Sequence, residues 1–336
     1  MKATVSRFTR KIHHPVQASG ERHEARTSLF LTLEAGDSFG VAEIAPQNKA
    51  LNGDAGVDEV LEFLRDVALP RFLSVRRRND DVPHWARVPA MFGTDAASRM
   101  ASALIEGAAF ALQGGVLDVA LAPGIATGSL LGTAFVPEQT ASMAMVRLKV
   151  GSDVRPEAFD LLSGLDIPVI LDYNAAAPAP EMVLEHVALA SVHASVAFVE
   201  QVVPVGDFNP PSALIEAGVR ISLDESIRTI PDIRHAARYG AAATVCIKPA
   251  RVGGRALAKS MVAEARELGI EAYFGGFFET ALGRLANAAL ADELHLGPSD
   301  TLLSGIPVSL DDASTVVQRV RAGEFETVGV FEVPET

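Results

Sequence analysis

The most constraining feature of this sequence is a series of short apolar runs that alternate with helical segments. Six runs lie between residues 143 and 276, and they are apolar at nearly every position. The helical segments between several of them include Glu181–Ser191, Ile230–Tyr239 and Arg255–Leu268. This alternation indicates βαβ units and a parallel sheet that is covered on both faces. Several successive units favour a barrel, although a doubly wound open sheet fits the same alternation.

Charged or polar residues end these apolar runs. In a parallel barrel the carboxyl ends of all strands share one rim, and active sites lie at that rim. Asp172, Glu200, Asp224 and Lys248 follow one another at intervals of 28, 24 and 24 residues, which is about one βα unit per step. We therefore expect four consecutive strands to bring these four groups to one opening.

The three carboxylates predict a site for a divalent cation. Without a cation, converging carboxylates would repel one another and raise each other's pKa. A hard cation prefers oxygen ligands, and Mg²⁺ also keeps positions open for water or substrate. We therefore expect Mg²⁺, with Mn²⁺ as an alternative, on Asp172, Glu200 and Asp224. Solvated acids in surface loops are the competing interpretation, which the regular spacing disfavours.

Two lysines at strand ends, Lys149 and Lys248, are the predicted acid–base groups. A lysine at the end of a buried strand, beside a metal and another cation, can have a lowered pKa and act as a base. Two lysines across a barrel mouth could handle a proton on either face of a substrate carbon, with the metal stabilising the enolate. Either lysine alone could equally be an extended surface side chain.

Several motifs carry a resemblance to a known family. They are VRLKVG, ILDYN, VEQ, LDES and IKPARVGG, followed by GGFFETALGRLANAALA. These strings resemble the enolase superfamily, and within it the muconate-lactonizing subgroup with its branch of o-succinylbenzoate synthases and N-succinylamino acid racemases. The resemblance covers residues 143–292 well and the N-terminal part in outline. It implies an α/β fold, an (α/β)7β modified TIM barrel with an N-terminal α+β capping domain.

Pattern and resemblance together divide the chain into three parts. Residues 1–100 are expected to form the capping domain, 101–310 the enolase-type barrel, and 311–336 a C-terminal segment that returns to the capping domain. Within the first part, Ser28–Ala42 predicts a hairpin, and Val57–Val67 predicts a helix that Pro70 helps to end.

The resemblance also implies a reaction. It assigns Mg²⁺ to the three carboxylates, Lys149 to one face of the substrate and Lys248 to the other. In a synthase, Lys149 would remove the proton α to the substrate carboxylate and assist loss of hydroxide, while Lys248 would stabilise the enediolate. In a racemase, the two lysines would exchange protons on opposite faces of the α-carbon. The first expectation is an o-succinylbenzoate synthase-like lyase of menaquinone biosynthesis, with an N-succinylamino acid racemase as the alternative, followed by a muconate cycloisomerase or a non-catalytic metal-binding relative.

Further residues are predicted to line the substrate pocket. They are Arg147, Asn174, Gly275, Gly276 and Glu279. The glycines could bring backbone N–H groups close to a carboxylate, with a tight turn as the alternative, and Glu279 could instead pair with Arg284. A lid over the pocket is predicted at Val16–Glu24, which is polar and contains Gly20.

Some positions separate the candidate reactions. Arg147 replaces the first lysine of the family's Lys-x-Lys pair and keeps its charge but not its shape. The stretch from Gly132 to Lys149 is short for a strand and a helix, and both departures motivate the non-catalytic alternative. Dipeptide epimerases carry an Asp-x-Asp motif after the last strands, whereas Phe274–Glu279 reads FGGFFE. Arg251 in IKPARVGG favours the racemase branch.

Composition sets the expected partners and compartment. The formal charge of −13 should repel nucleic acid and anionic lipid, so we expect neither nucleic acid nor membrane as a partner, but a small-molecule carboxylate substrate. The single cysteine, Cys246, excludes an internal disulfide, and the first residues contain no apolar run of signal-peptide type. We therefore expect a cytoplasmic protein, and a homo-oligomer is left open.

Overall fold

The structure, a computed structural model, describes residues 1–18, 21–79, 83–115, 117, 119, 121–240, 242–302 and 312–332. In chain order its strands are β1 (Lys2–Ala18), β2 (Glu21–Ala35), β3 (Ser38–Ile44), β4 (Gly124–Ser129), β5 (Met143–Lys149), β6 (Val169–Asp172), β7 (Val196–Glu200), β8 (Ile221–Leu223), β9 (Thr244–Ile247), β10 (Glu271–Phe274) and β11 (Glu326–Glu332). Its α-helices are α1 (Val57–Phe63), α2 (Leu69–Asn79), α3 (Ala96–Leu112), α4 (Pro180–Ser191), α5 (Ser212–Glu216), α6 (Ile230–Arg238), α7 (Pro249–Val252), α8 (Arg255–Glu267), α9 (Ala281–Glu293) and α10 (Ala313–Arg321). None of the helices in the described ranges is long and apolar enough to cross a membrane.

An antiparallel sheet of four strands, in the order β11-β1-β2-β3, forms the capping layer. The predicted hairpin is confirmed, because β2 and β3 pair up to Ala35 and Ser38 and turn at Gly36, whose φ is +56°. Leucines of β2 pack against α3 in a core between the sheet and the helices. The C-terminal strand β11 pairs with β1 and so returns to this layer. The bounds of the three predicted parts remain a prediction.

The predicted helix end near Pro70 is wrong. The helix that begins at Val57 continues through a π-helical turn, Leu64–Ala68, into α2, which ends at Asn79. Proline lacks an N–H group, and its ring would collide with the carbonyl group four residues earlier in a regular α-helix. The wider π turn directly before Pro70 changes this spacing, since Leu69 N–H donates to the carbonyl of Leu64, five residues earlier.

A seven-stranded parallel sheet, in the order β10-β9-β8-β7-β6-β5-β4, forms the second layer. A short segment, Ser299–Thr301, joins its two edge strands. The carbonyl of Ser299 accepts a hydrogen bond of 2.8 Å from the N–H of Ile125 in β4, and the N–H of Asp300 donates to Phe274 in β10 at 2.7 Å. This closing segment occupies an eighth barrel position. The (α/β)7β barrel with a capping sheet is therefore confirmed, and the open-sheet alternative is wrong.

The first barrel unit has no helix. Residues 130–142, all of them described, connect β4 to β5, and Ser129 and Phe135 exchange backbone hydrogen bonds of 2.9 and 2.7 Å there. The stretch that is short in the sequence is therefore a loop without a helix in the structure. Strand β5 still pairs with β4 along its length and with β6 from Val146 to Lys149, so Arg147 and Lys149 keep a regular strand position.

Candidate active site

Five charged residues lie at the carboxyl ends of neighbouring barrel strands. Lys149, Asp172 and Glu200 are the last residues of β5, β6 and β7, and strand pairing sets them side by side in one row. Asp224 and Lys248 directly follow β8 and β9. The regular spacing in the sequence therefore corresponds to a row of adjacent strand ends.

The barrel order places the two lysines on opposite sides of the mouth. Counting β4 as the first of eight positions, Lys149 stands at the second position and Lys248 at the sixth. Four positions out of eight is half of the circumference. The three carboxylates occupy positions three to five between them, so one side of the mouth is acidic and each flank ends in a lysine.

The carboxylates of β6 and β7 contact cations of β5. The Lys149 ammonium donates to Asp172, and Arg147 Nε donates to Glu200 at 3.1 Å. Arg147 is buried, and its Nη1 also donates to Asp300 at 3.1 Å. Arg147, which replaces the first lysine of the Lys-x-Lys pair, therefore bonds to two acids, Glu200 and Asp300, from opposite sides of the barrel.

Lys248 and Arg251 hold Asp224 from the other flank. Lys248 Nζ lies 2.8 Å from Oδ2 of Asp224, and Arg251 Nη1 lies 2.6 Å from its Oδ1. Burial acts to raise the pKa of Asp224, but the two cations outweigh it and lower the pKa below its usual range. Burial likewise acts to lower the pKa of Lys248, but Asp224 raises it above its usual value. The lowered lysine pKa was expected beside a bound metal, and it stays a prediction.

The donor set fits a hard divalent cation. Oε1 of Glu200 is buried without a hydrogen-bond partner, and burial raises the pKa of this carboxyl to about 8, with Arg147 opposing the rise. Single donor atoms of Glu200, Asp224 and Cys246 all lie within 4.8 Å of one another. Burial raises the pKa of the Cys246 thiol, and hard cations prefer oxygen to sulfur ligands. The unpartnered oxygen of Glu200 fits a hard cation such as Mg²⁺. Asp172 lies on the adjacent strand but outside this group of three, so its role as a metal ligand stays a prediction.

Two left-handed residues shape the turns after the acidic strand ends. Asn174 and Gln201 both have φ of +48°, a conformation that is uncommon outside glycine. The N–H of Asn174 donates to Asp172 Oδ1 at 2.9 Å, and its side-chain amide donates to Glu225 at 3.1 Å. The Gln201 side chain accepts the N–H of Asp224 at 2.8 Å. Each turn therefore orients a carboxylate of the row, and Gln201 is a positioning residue that the sequence interpretation missed.

The predicted pocket residues of the GGFFE stretch have separate places. Gly276 lines the mouth cavity, whereas the N–H of Gly275 donates to Ile247 in the sheet and is not free for a substrate. Gly275 instead leaves room for its neighbours, since a Cβ there would lie 2.5 Å from Sγ of Cys246 and 2.9 Å from Cε of Lys248. Glu279 lies 3.4 Å from Arg284, which corresponds to the alternative of a structural ion pair.

A cavity of about 630 Å³, its opening to solvent included, lies at the barrel mouth below the capping sheet. Its walls come from both layers, and they include these residues: His23, Arg26, Gln47, Leu51, Asn52 and Asp54 from the capping part, and Thr127, Arg147, Lys149, Asn174, Asp224, Glu225, Lys248, Arg251, Gly276 and Asp300 from the barrel. His23 belongs to the predicted lid Val16–Glu24, whose Gly20 lies outside the described residues. The lid therefore remains a prediction.

Asp54 and Asp300 are further cavity residues that the sequence interpretation missed. Asp54, from the loop between β3 and α1, makes two hydrogen bonds of 2.8 and 2.7 Å to Arg251 and so ties the capping part to the barrel. Asp300 stands in the closing segment, which is the true last barrel position. Its neighbours two residues away are Pro298 and Leu302, so the Asp-x-Asp motif of dipeptide epimerases is absent there too.

A comparison of families decides the membership of the chain. Residues 136–322, more than half of the 336 residues, match the family described as Enolase C-terminal domain-like. The chain belongs to the enolase superfamily.

Curated relatives place this enolase-superfamily chain near two kinds of enzyme. An o-succinylbenzoate synthase of Enterococcus faecalis is 32% identical over 155 residues, which span 44% of this chain and 40% of that protein. An o-succinylbenzoate synthase of Bacillus subtilis is 25% identical over 311 residues, or 86% and 81% of the two chains. An N-succinylamino acid racemase of Amycolatopsis sp is 45% identical over 85 residues, or 25% and 23%.

Solved structures share the fold of this superfamily member along its whole length. The N-succinyl Arg/Lys racemase of Bacillus cereus superposes with a TM-score of 0.73 and covers 99% of both chains at 16% identity. A probable mandelate racemase of Alicyclobacillus acidocaldarius gives a TM-score of 0.72 at 20% identity, covering 99% and 98%. At these identities the likeness shows the fold alone.

Proposed function

We propose that this chain is an o-succinylbenzoate synthase-like lyase that removes a proton α to a carboxylate and then eliminates hydroxide. The observation that carries the proposal is the placement of Lys149 and Lys248 half a circumference apart, with three carboxylates between them. A substrate in this mouth has one cation on each side of its plane. Mg²⁺, or Mn²⁺ in its place, would be held by Asp172, Glu200 and Asp224, and when bound it would stabilise negative charge that develops on the substrate carboxylate.

Lys149 is the proposed base. Its ammonium donates to Asp172, so the proton it takes up is stabilised by a carboxylate at the same strand level. The same lysine can return a proton to the leaving hydroxide, because both events occur on its side of the substrate. In the dehydration, Lys248 stays charged next to Asp224 and stabilises the anionic substrate from the opposite side, whereas in a racemization it would be the second acid–base group.

N-succinylamino acid racemization is the second candidate. Two lysines on opposite sides of the mouth are the arrangement that proton exchange on both faces of one carbon requires. The 85 residues that are 45% identical to the Amycolatopsis racemase support it. A muconate cycloisomerase and a non-catalytic metal-binding relative are weaker candidates, and the ion pairs of Arg147 with Glu200 and Asp300 are the observation that favours the non-catalytic one.

A substrate panel in D₂O tests the proposal. The protein is incubated with Mg²⁺ and with the precursor of o-succinylbenzoate, N-succinylamino acids and a muconolactone. Mass spectrometry then records α-deuterium, and ultraviolet absorbance records dehydration. We expect dehydration of the first substrate and α-deuterium in the second group. The variant Lys149→Ala should lose roughly 10²- to 10⁴-fold in rate, the usual contribution of a general base.

Controls separate the candidates. Lys259→Ala removes a partly exposed lysine of helix α8, outside the mouth cavity, and should leave both rates unchanged. Formation of only the racemized product would assign the racemase reaction. If the parent protein neither dehydrates nor exchanges a proton with any member of the panel, the enzymatic proposal fails and the non-catalytic relative stands.

A further inference from the structure

The cations of the mouth cavity differ in their partners. Five lysine and arginine side chains line this cavity, and four of them pair with carboxylates. The pairs are Lys149 with Asp172, Arg147 with Glu200 and Asp300, Lys248 with Asp224, and Arg251 with Asp54 and Asp224. Arg26 is the fifth cation, and no carboxylate of the described part of the chain lies within ion-pair distance of it.

Arg26 is nevertheless buried. It stands in strand β2 of the capping sheet with 3% of its surface exposed. Its Nη1 donates to the carbonyl of Pro46 at 3.1 Å and to Oε1 of Gln47 at 2.7 Å, and both acceptors are neutral. Its Nε is buried without a hydrogen-bond partner. The ring of Phe278 lies 5.7 Å from its Cζ and gives only a weak cation–π contact.

A buried guanidinium without a carboxylate at hydrogen-bond distance is costly, and Glu279 and Asp54 act on Arg26 only from further away. Burying an ion is favourable only when an opposite charge and hydrogen bonds replace the lost water. Burial lowers the pKa of Arg26 to about 10, so the side chain remains charged at neutral pH. The competing interpretation is a purely structural role for the bonds to Pro46 and Gln47. Glutamine or lysine would bond to these two acceptors without burying an unpartnered Nε, so this interpretation does not explain the arginine.

We propose that Arg26 binds a second carboxylate of the substrate, distinct from the carboxylate next to the reacting carbon. This inference rests on the proposed function, whose substrates carry two acid groups, and it places the second acid group under the capping sheet. Arginine suits this task, because its planar donors match the two oxygens of a carboxylate. The four paired cations belong to the barrel mouth, whereas Arg26 approaches the cavity from the opposite wall. The two acid groups would therefore be bound by different layers of the fold.

A pair of matched ligands tests the inference without requiring turnover. N-succinyl-L-phenylalanine carries the second carboxylate, and its succinamide analogue replaces that group by a neutral amide of nearly equal size. Their dissociation constants are measured by calorimetry with Mg²⁺ present. We expect the parent protein to bind the acid roughly 10- to 100-fold more tightly than the amide, the range of a charge-assisted hydrogen bond. Equal affinity for the two ligands in the parent would overturn the inference.

Variants locate the preference on Arg26. Arg26→Gln should lose most of the preference for the acid over the amide, because it binds the acid more weakly, while its binding of the amide should change by less than about twofold. Arg26→Lys should keep part of the preference. Arg22→Gln, an exposed position of the same strand, is the control and should behave as the parent. If Arg26→Gln binds the acid and the amide more weakly by the same factor, Arg26 has a structural role and the inference is contradicted. A parent that discriminates the ligands but exchanges no α-proton would contradict the proposed function alone.

Discussion

The ion pair between Asp54 and Arg251 should control how firmly the capping part is attached to the active site. Asp54→Asn removes one charge from a pair whose side chains are 2% and 1% exposed. Removing one partner of a buried pair typically costs 3–5 kcal/mol, because the other charge stays buried. Arg251 keeps its bonds to Asp224 at 2.6 and 3.0 Å, which compensates part of this cost. We therefore expect a loss of about 3 kcal/mol in the free energy of unfolding.

Urea denaturation at pH 7, followed by circular dichroism, measures this loss. Asp58→Asn, an exposed acid at the start of α1, is the matched control and should change stability by less than about 0.5 kcal/mol. Because Leu51 and Asn52 of the same loop line the cavity, Asp54→Asn should also raise KM more than it lowers kcat. A stability equal to that of the parent would show that the pair contributes nothing and would contradict the cost expected from its burial.

Three further perturbations follow from the structure. Burial raises the pKa of the Glu106 carboxyl from 4.5 to about 7, so between these pH values the folded state binds a proton that the unfolded state has lost. The free energy of unfolding should therefore fall by roughly 3 kcal/mol as the pH rises from 4.5 to about 7. Glu106→Gln should flatten this dependence in urea denaturation measured at several pH values. Gly275→Ala would bring a Cβ to 2.5 Å from Cys246 and 2.9 Å from Lys248, so we expect about 1–3 kcal/mol of destabilisation and at least roughly a tenfold slower proton exchange; a parent-like exchange rate would contradict this. Mg²⁺ at about 100 times its dissociation constant should add about 2.7 kcal/mol to the free energy of unfolding, and Glu200→Gln should remove most of this gain, measured by denaturation with Mg²⁺ or with a chelator.

The strand ends could be predicted because burial and chemistry coincide in short stretches of sequence. The inner barrel strands are apolar at most positions until the rim, so charged residues gather at or near the end of each strand. This rule located Lys149, Asp172, Glu200, Asp224 and Lys248 within one residue of their strand ends. Periodicity likewise located the outer helices, since their apolar faces recur every three to four residues.

The rest of the site is set by contacts that are distant in the chain. The closing segment Ser299–Thr301 is too short to form an apolar run, so Asp300 carried no strand signal. Asp54 and Arg26 come from a loop and a strand of the capping part, and only the packing of the two layers brings them to the cavity. The position of Arg26, three residues before the apolar stretch of β2 that begins at Leu29, was the one available sign for this residue. The helix across Pro70 was missed because a π turn has no reliable sequence signature.

Lys149 and Lys248 are proposed to act on opposite faces of one substrate carbon. The most direct test is α-deuterium incorporation in D₂O, measured separately for the L and D forms of an N-succinylamino acid with the parent, Lys149→Ala and Lys248→Ala. We predict that the parent exchanges both enantiomers, and that each variant loses exchange with one enantiomer, a different one for each lysine. Exchange of both enantiomers at parental rates in either variant would contradict the claim.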